Sequence, residues 1–382
     1  MIDFELSDEQ RALIDLVRRF AREKIIPAAP EADRLSEFPK DVFREAWKLG
    51  IVNPTLPAEH GGPGLSDLEC VMITEELAYG CSGISTSITA NTLGLTPIKL
   101  AGSEEQKKKY FGWLMSEPTW VSYATTEPGA GSDVAGMQCR AVKEADGSYV
   151  LTGTKAWITN ANLSSFFVIF ATENPELRHK GIGAFIVHRD APGLTVGKHE
   201  DKLGQRASDT AQVMLDGVRV PASQVLAAPG HGFKLAMETF NQTRPDIGGI
   251  ACGIIRRCLD ESVAYAKERK TFGTAIANHQ LVQAMIAEMA IRYHATRLLV
   301  HKAAWSLDKG VRDPLTSACA KAFGADAAMQ SATDAVQVFG GNGYVKEYPV
   351  EKLMRDAKIL QIYEGTAQVQ RIVIAKQLLS GS

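Results

Sequence analysis

Cysteine is scarce and unpaired in this sequence. Cys70, Cys81, Cys139, Cys252, Cys258 and Cys319 are scattered, with no Cys-x-x-Cys spacing. That speaks against a disulfide framework or a thiolate zinc site and fits reduced thiols in a core. The eight histidines show no His-Glu-x-x-His or comparable ligand spacing, so no metal is expected. Neither sign of charge dominates: 42 Lys+Arg against 44 Asp+Glu leave −2, which is no footprint for nucleic acid. Long apolar runs are missing as well, since "FFVIFA" at 166–171 is far too short to cross a bilayer. The chain carries no repeat and no low-complexity stretch. It opens on "MIDFELSDEQ", which reads as a mature start with no targeting segment.

What is there is an ordinary globular composition, 45% hydrophobic and 23% charged over 382 residues, enough for two or three packed units. Ser7 with Gln10 has the form of a capping box, and Leu13, Val17 and Phe20 follow on one face until Pro27 should stop the run. "SEEQKKKYFGWL" from Ser103 repeats that start, and "NPTLPAEHGGPGLSD" between them reads as loop. From about residue 120 short β-rich runs take over, "SYVLTGTKAWIT", "SSFFVIFATE", "GIGAFIVHRD" and "AQVMLDGVRVP", as in a compact antiparallel unit. After "APGHGFKLAMETF" the helical period returns, with Val282, Ile286, Met289 and Tyr293 as one stripe. The expected organisation is therefore a helical unit over 1–119, a β unit over 120–230 and a helical unit over 231–382. It is mainly α with a middle β domain, not the alternation of a dinucleotide fold.

Several stretches could carry chemistry, and each has a plain alternative. "YATTEPGAGSDVAG" at 123–136 offers backbone N–H groups and hydroxyls to a ring edge or phosphate, or is simply a loop. It is not a P-loop, because no Lys-Ser/Thr follows. Trp157 in "KAWITNAN" is core or a cofactor wall. "ERKTFG" at 268–273 suits a helix C-terminus or an anion. The Gly-Gly-Asn-Gly of "QVFGGNGYVKEYPVEKLMRD" is a helix cap or a backbone approach to a ligand. "LQIYEGTAQVQ" sets Glu364 among apolar neighbours, as a surface glutamate or as a base in a greasy site.

In this order the pieces resemble the acyl-CoA dehydrogenase family, and most closely its medium-chain type. "ATTEPGAGSDVAG" matches one family signature except at Thr125, where an aliphatic residue is usual. Residues 337–356 match a second throughout. "WIT", "QTRP", "ERKTFG" and "IYEGT" fall in the expected places, over essentially the whole chain. The resemblance implies an N-terminal helical domain, a β-barrel-like middle domain and a C-terminal four-helix bundle, assembled as a homotetramer with one FAD per subunit. It implies insertion of a trans double bond between Cα and Cβ of a fatty acyl-CoA thioester. The electrons would pass to an electron-transferring flavoprotein. The expected compartment is the mitochondrial matrix or the bacterial cytoplasm.

By the same resemblance Glu364 is the base, and burial would raise its pKa toward the operating pH. A flavin hydroxyl and the backbone N–H of Glu364 would polarise the thioester carbonyl, and the β-hydride would go to flavin N5. A base that is poorly partnered is expected, because a well-paired carboxylate is too weak. The implied cofactor contacts are Tyr123, Thr125, Thr126, Gly131 and Ser132, then Trp157, Ile158 and Thr159 against the ring. Arg269, Lys270, Thr271, Phe272, His279, Gln280, Gln337, Gly340 and Gly341 would hold the adenine half, partly across a subunit boundary. Thr366 and Gln368 return to the cofactor. On the substrate side stand Ser132, Asn241, Thr243, Arg244, Tyr363 and Gly365. Some relatives carry their base at the position of Thr243, which cannot serve as one. Thr89 stands where the medium-chain type has a glutamate in the acyl pocket. Leu65 and Leu68 are expected on an exposed loop as anchors for the redox partner. The competing readings are an acyl-CoA oxidase and a non-catalytic acyl-CoA or flavin scaffold.

Overall fold

A computed structural model describes residues 5–379. Helix α1 (Asp8–Phe20) opens as the sequence predicts: the Ser7 hydroxyl accepts the Gln10 N–H, and the Gln10 side chain accepts the Ser7 N–H, both at 3.2 Å. Pro27 does not end the run. A π turn at Ala21–Ile25 leads directly into α2 (Ile26–Leu35), with Pro27 in its first turn, where a missing N–H leaves no bond unmade. Helix α3 (Lys40–Lys48) and the predicted loop follow. A second capping box, Ser66 with Glu69, starts α4 (Asp67–Gly80), and α5 (Ser82–Ala101) runs on from it. Ser103 with Gln106 caps α6 (Glu104–Ser116), as expected.

Leu65 and Leu68 depart from expectation. Neither is exposed; Leu65 packs on the core beneath α1–α3, and Leu68, in the first turn of α4, packs against the helices of the C-terminal unit. Burying that apolar surface outweighs the polar look of the flanking loop.

Eight strands form one sheet: β1 (Val121–Ala124), β2 (Arg140–Lys143), β3 (Tyr149–Thr159), β4 (Phe166–Thr172), β5 (Ile182–His188), β6 (Leu194–Val196), β7 (Thr210–Val220) and β8 (Val225–Ala227). The order is β6-β7-β3-β2-β4-β5-β8, with β1 beside β4. The sheet is not purely antiparallel. β1 lies parallel to β4, Val121 opposite Phe166, and β2 touches β4 in parallel at Arg140 and Thr172. Strand β4 is buried on both faces: Phe166, Val168 and Phe170 enter one core, Phe167, Ile169 and Ala171 the other. Asn91 of buried α5 fixes where β1 begins, accepting the Val121 N–H at 3.1 Å and donating to Thr119 O at 2.9 Å.

The C-terminal unit packs α7 (Gly232–Glu268), α8 (Gln280–Asp308), α9 (Pro314–Phe339) and α10 (Val350–Lys358) around one core, with α11 (Ala367–Leu379) laid against α9. The Val282, Ile286, Met289, Tyr293 stripe faces it. Helix α7 crosses α4 so closely that a Cβ on Gly253 would meet Glu75 O at 2.5 Å. Its contact with α4 and α5 is what brings the middle of α7 to the edge of the sheet. Among the described residues no helix is long and apolar enough to cross a membrane.

Candidate active site

A cavity of about 140 Å³ opens where the ends of β1 and β3 meet α5, α7 and the turn before α11. It gathers ten of the residues singled out from sequence: Thr89, Tyr123, Thr125, Thr126, Trp157, Ile158, Thr159, Thr243, Tyr363 and Glu364. Thr86, Ala90, Leu93, Phe240, Asp246, Ile247 and Ile250 complete its walls. A larger recess of about 830 Å³ lies between α2 and α10 and holds none of those ten. It is charged surface whose groups are spent on one another: Arg355 binds both Asp33 and Glu351.

Glu364 owes its position to an unusual turn. Its φ is +50° and that of Gly365 is +85°, so the chain reverses hand twice between α10 and α11. A non-glycine residue there costs on the order of 1–2 kcal/mol and must be held from outside. Two buried side chains hold it. Gln370 Nε2 donates to Glu364 O at 3.0 Å and to Gly365 O at 3.2 Å, and Lys321 Nζ donates to Gly365 O. The carboxylate is left facing the cavity, and burial pushes its pKa up to about 7. The hydroxyl of Thr243, 3.0 Å away, and the charges of Arg244 and Lys321 pull the other way. The sequence predicts a poorly partnered base, and among the described residues Thr243 is the one group bonded to the carboxylate. That bond forms because Thr243, 121 residues earlier in the chain, is brought alongside by α7.

The 125–138 loop is anchored by a buried ion pair. Lys155 of β3 reaches Glu127 at 2.7 Å and Thr125 O at 3.2 Å, while the Glu127 carboxylate also accepts the N–H groups of Gln138 and Cys139. A bulge between Lys155 and Ile158 turns Trp157 out of the sheet at φ +61° and leaves its ring 61% exposed beside the cavity. Tyr123 Oη and Thr125 Oγ1 are buried with no hydrogen-bond partner. Unmet buried hydroxyls are costly and here point to a bound group that meets them.

The remaining predicted residues fall into three places. Gly131 and Ser132 are exposed on the loop outside the cavity. Asn241 lies one turn from Arg244 and accepts its guanidinium at 2.6 Å, while Arg244 Nε is buried and unpaired. The rest form a second, outward-facing cluster. Tyr265 at the end of α7 stacks on Phe339 at 4.0 Å and accepts from Asn342, which ties the hairpin after α7 to the Gly340–Tyr344 turn. This brings Arg269, Lys270, Thr271, Phe272, His279 and Gln280 close to Gln337, Gly340 and Gly341. Thr271 and His279 are hydrogen-bonded at 2.9 Å, Phe272 is 97% exposed, and a Cβ on either glycine would meet nothing. Thr366 caps the first turn of α11 through Val369 N, with Gln368 exposed beside it. Sequence reasoning missed Lys321, Gln370 and Asp246. Lys321 and Gln370 sit among small and apolar residues of helices with nothing local to mark them; Asp246 follows a proline and reads as a surface acid.

A base raised in pKa by burial in a cavity, flanked by unsatisfied hydroxyls and an aromatic wall, suits an oxidoreductase-type site able to remove a proton next to a bound flat cofactor. Three family descriptions match the chain: acyl-CoA dehydrogenase N-terminal domain over 7–117, middle domain over 122–218 and C-terminal domain over 230–379. A probable medium-chain specific mitochondrial acyl-CoA dehydrogenase of Caenorhabditis briggsae is 44% identical over 381 residues, 99% of this chain and 92% of that one. Butyryl-CoA dehydrogenase from Megasphaera elsdenii superposes with a TM-score of 0.96 at 37% identity, covering 99% and 100% of the two chains. A chain from the structure of the electron transferring flavoprotein of Acidaminococcus fermentans gives 0.97 at 38%, over the full length of both. The chain belongs to the acyl-CoA dehydrogenase family. It is an enzyme, a FAD-dependent oxidoreductase, with that family's helical, β and helical domains in order.

Proposed function

We propose that the enzyme dehydrogenates a fatty acyl-CoA thioester to its trans-2-enoyl-CoA, with Glu364 removing the α-proton. The observation that carries this is the Glu364 carboxylate, lining the cavity with a pKa near 7. A base poised there is half ionised at neutral pH and strong enough to attack a weakly acidic C–H. Thr243 keeps the ionised form accessible, and the turn held by Lys321 and Gln370 keeps the carboxylate aimed into the cavity. The backbone N–H of Glu364 is the donor we assign to the thioester carbonyl, where negative charge develops. Tyr363 and Phe240 line the cavity with aromatic surface that keeps the site apolar, which strengthens that interaction.

The residues fit FAD. Thr125 and Tyr123 offer unmet hydroxyls, Trp157 offers a free ring face, and Ile158 and Thr159 complete the wall. Bound FAD supplies the acceptor for the hydride leaving Cβ. Thr126, Gly131 and Ser132 belong to the same loop, and Thr366 and Gln368 approach from α11. The outward cluster of Arg269–Phe272, His279, Gln280, Gln337, Gly340 and Gly341 we assign to the adenine half of a neighbouring subunit's cofactor. Its exposure supports that, as does an unpartnered stripe on α8, where Ile291, Leu298 and Trp305 recur every seven residues and are all over half exposed. Both fit a homotetramer. Asn241 and Arg244 would line the CoA channel, and Tyr363, Gly365 and Thr89 the acyl side. The three folding units are 1–119, 120–230 and 231–382. An electron-transferring flavoprotein is the proposed acceptor, β-oxidation the proposed setting, and the mitochondrial matrix or bacterial cytoplasm the place.

Turnover with C4–C16 acyl-CoAs, followed as enoyl-CoA formation with an electron-transferring flavoprotein and separately with oxygen alone, tests this reading. Enoyl product with the flavoprotein and little peroxide is expected. Peroxide in stoichiometric yield makes the enzyme an oxidase, and no product with any thioester overturns the assignment.

A further inference from the structure

The acyl end of the cavity contains an acid that proton abstraction does not use. Asp246 lies three residues beyond Thr243 on α7, on the same helix face and one turn further along it, and lines the same cavity as Glu364. It makes no hydrogen bond and no ion pair within the described residues. It is partly exposed and lines the cavity, and the charges acting on it, Asp67 and Glu364, are both negative. Burial and those two acids hold its pKa well above the usual carboxylate range. The other polar groups nearby are already engaged: Thr89 donates to Ser85 O at 2.9 Å and Thr86 to Gln205 at 3.2 Å. Its neighbours on the helix face, Ile247 and Ile250, are what a plain alkyl chain would want.

An alkyl tail filling the cavity would strip Asp246 of solvent without giving it a hydrogen-bond partner, which costs binding free energy. A tail that brings its own donor removes that cost. Resting on the acyl-CoA reading above, we propose that Asp246 is the specificity residue of this enzyme. It selects acyl thioesters whose tail carries a hydrogen-bond donor, a hydroxyl or an ammonium, over plain alkyl and carboxylate tails. Three helical residues advance about 4.5 Å, and three chain bonds span about 3.3–3.6 Å. The donor therefore belongs roughly four bonds beyond Cα, near C6 of the acyl chain.

The test compares kcat/KM of the holoenzyme for hexanoyl-CoA, 6-hydroxyhexanoyl-CoA, 6-aminohexanoyl-CoA and 5-carboxypentanoyl-CoA, in wild type and in Asp246→Leu. Wild type should favour a hydroxyl or amino tail over hexanoyl by about tenfold or more, a loss of one hydrogen bond being worth that or more in a site built to make it. Asp246→Leu should reverse the preference toward hexanoyl-CoA. Wild type favouring hexanoyl- or 5-carboxypentanoyl-CoA, or a preference unchanged in the variant, overturns the proposal while leaving the acyl-CoA dehydrogenase reading intact. Failure with all four thioesters overturns both. Should the leucine variant not fold, Asp246→Ala, which also removes both oxygens, should lose the preference for the hydroxyl and amino tails, and an unchanged preference overturns the proposal.

Discussion

The Thr243 hydroxyl donates to the Glu364 carboxylate across 3.0 Å, joining the middle of α7 to the turn before α11. The bond favours the charged form of the base, against the burial that disfavours it. Thr243→Val leaves burial alone and removes that help. The basic form should then appear at higher pH, the rising limb of kcat/KM moving up by about one pH unit. Plateau activity at high pH should change much less. A limb that stays in place would show that the hydroxyl does not act on the base.

In the wild type that limb reports the free enzyme's base. With Glu364 raised to about 7, activity should climb as pH rises through neutrality and fall about tenfold per unit below it. A limb near the ordinary carboxylate range, about 4.3, would contradict the burial argument.

The same shift makes a statement about stability. The folded base holds its proton up to about pH 7, whereas the unfolded one loses it near 4.3. Between those values the folded state binds more protons, so stability declines as pH rises and the deficit is complete above pH 7. Glu364→Gln should therefore raise the unfolding free energy at pH 8, by on the order of 2 kcal/mol after allowing for the facing cavity, and the melting temperature with it. The gain should shrink toward pH 4. Calorimetry at both pH values measures it.

Lys155 and Glu127 form a fully buried pair that holds the 125–138 loop to β3. Lys155→Met alone leaves the Glu127 charge without its cation and should cost about 3–5 kcal/mol. Denaturant unfolding of the apoprotein checks the stability, and flavin retention during dialysis checks whether the loop is loosened.

Gly365 has φ +85°, and a Cβ there would sit 2.5 Å from Gln370 Nε2. Gly365→Ala should cost about 1–2 kcal/mol from the backbone alone and displace the side chain that pins Glu364. Gln370→Leu should reproduce much of the loss of kcat with less loss of stability. Near-normal turnover in both would mean the turn does not aim the base.

How much of this was legible beforehand depended on locality. The boxes at Ser7 and Ser103 are readable because cap and partner lie three residues apart. Pro27 misled because a proline stops a helix in its interior but suits a first turn, and no local signal announces a π turn. Parallel pairing of β1 with β4 is a crossover, invisible to strand periodicity. The cavity residues of β1 and β3 came from the resemblance, since Trp157 alone reads as core. Glu364 was marked by its apolar neighbours, but Thr243, Lys321 and Gln370 come to it through tertiary packing, from as far as 121 residues away. Asp246 looks like any acid after a proline until α7 is laid along the cavity.

The central claim is that Glu364 takes the α-proton. Rapid anaerobic mixing of the holoenzyme with an acyl-CoA that it oxidises, watching the flavin absorbance, tests it most directly. In the wild type the yellow colour should bleach; in Glu364→Gln the flavin should stay bound and oxidised, bleaching at least ~10²–10⁴-fold more slowly. Bleaching of the variant at the wild-type rate would assign the proton to another group.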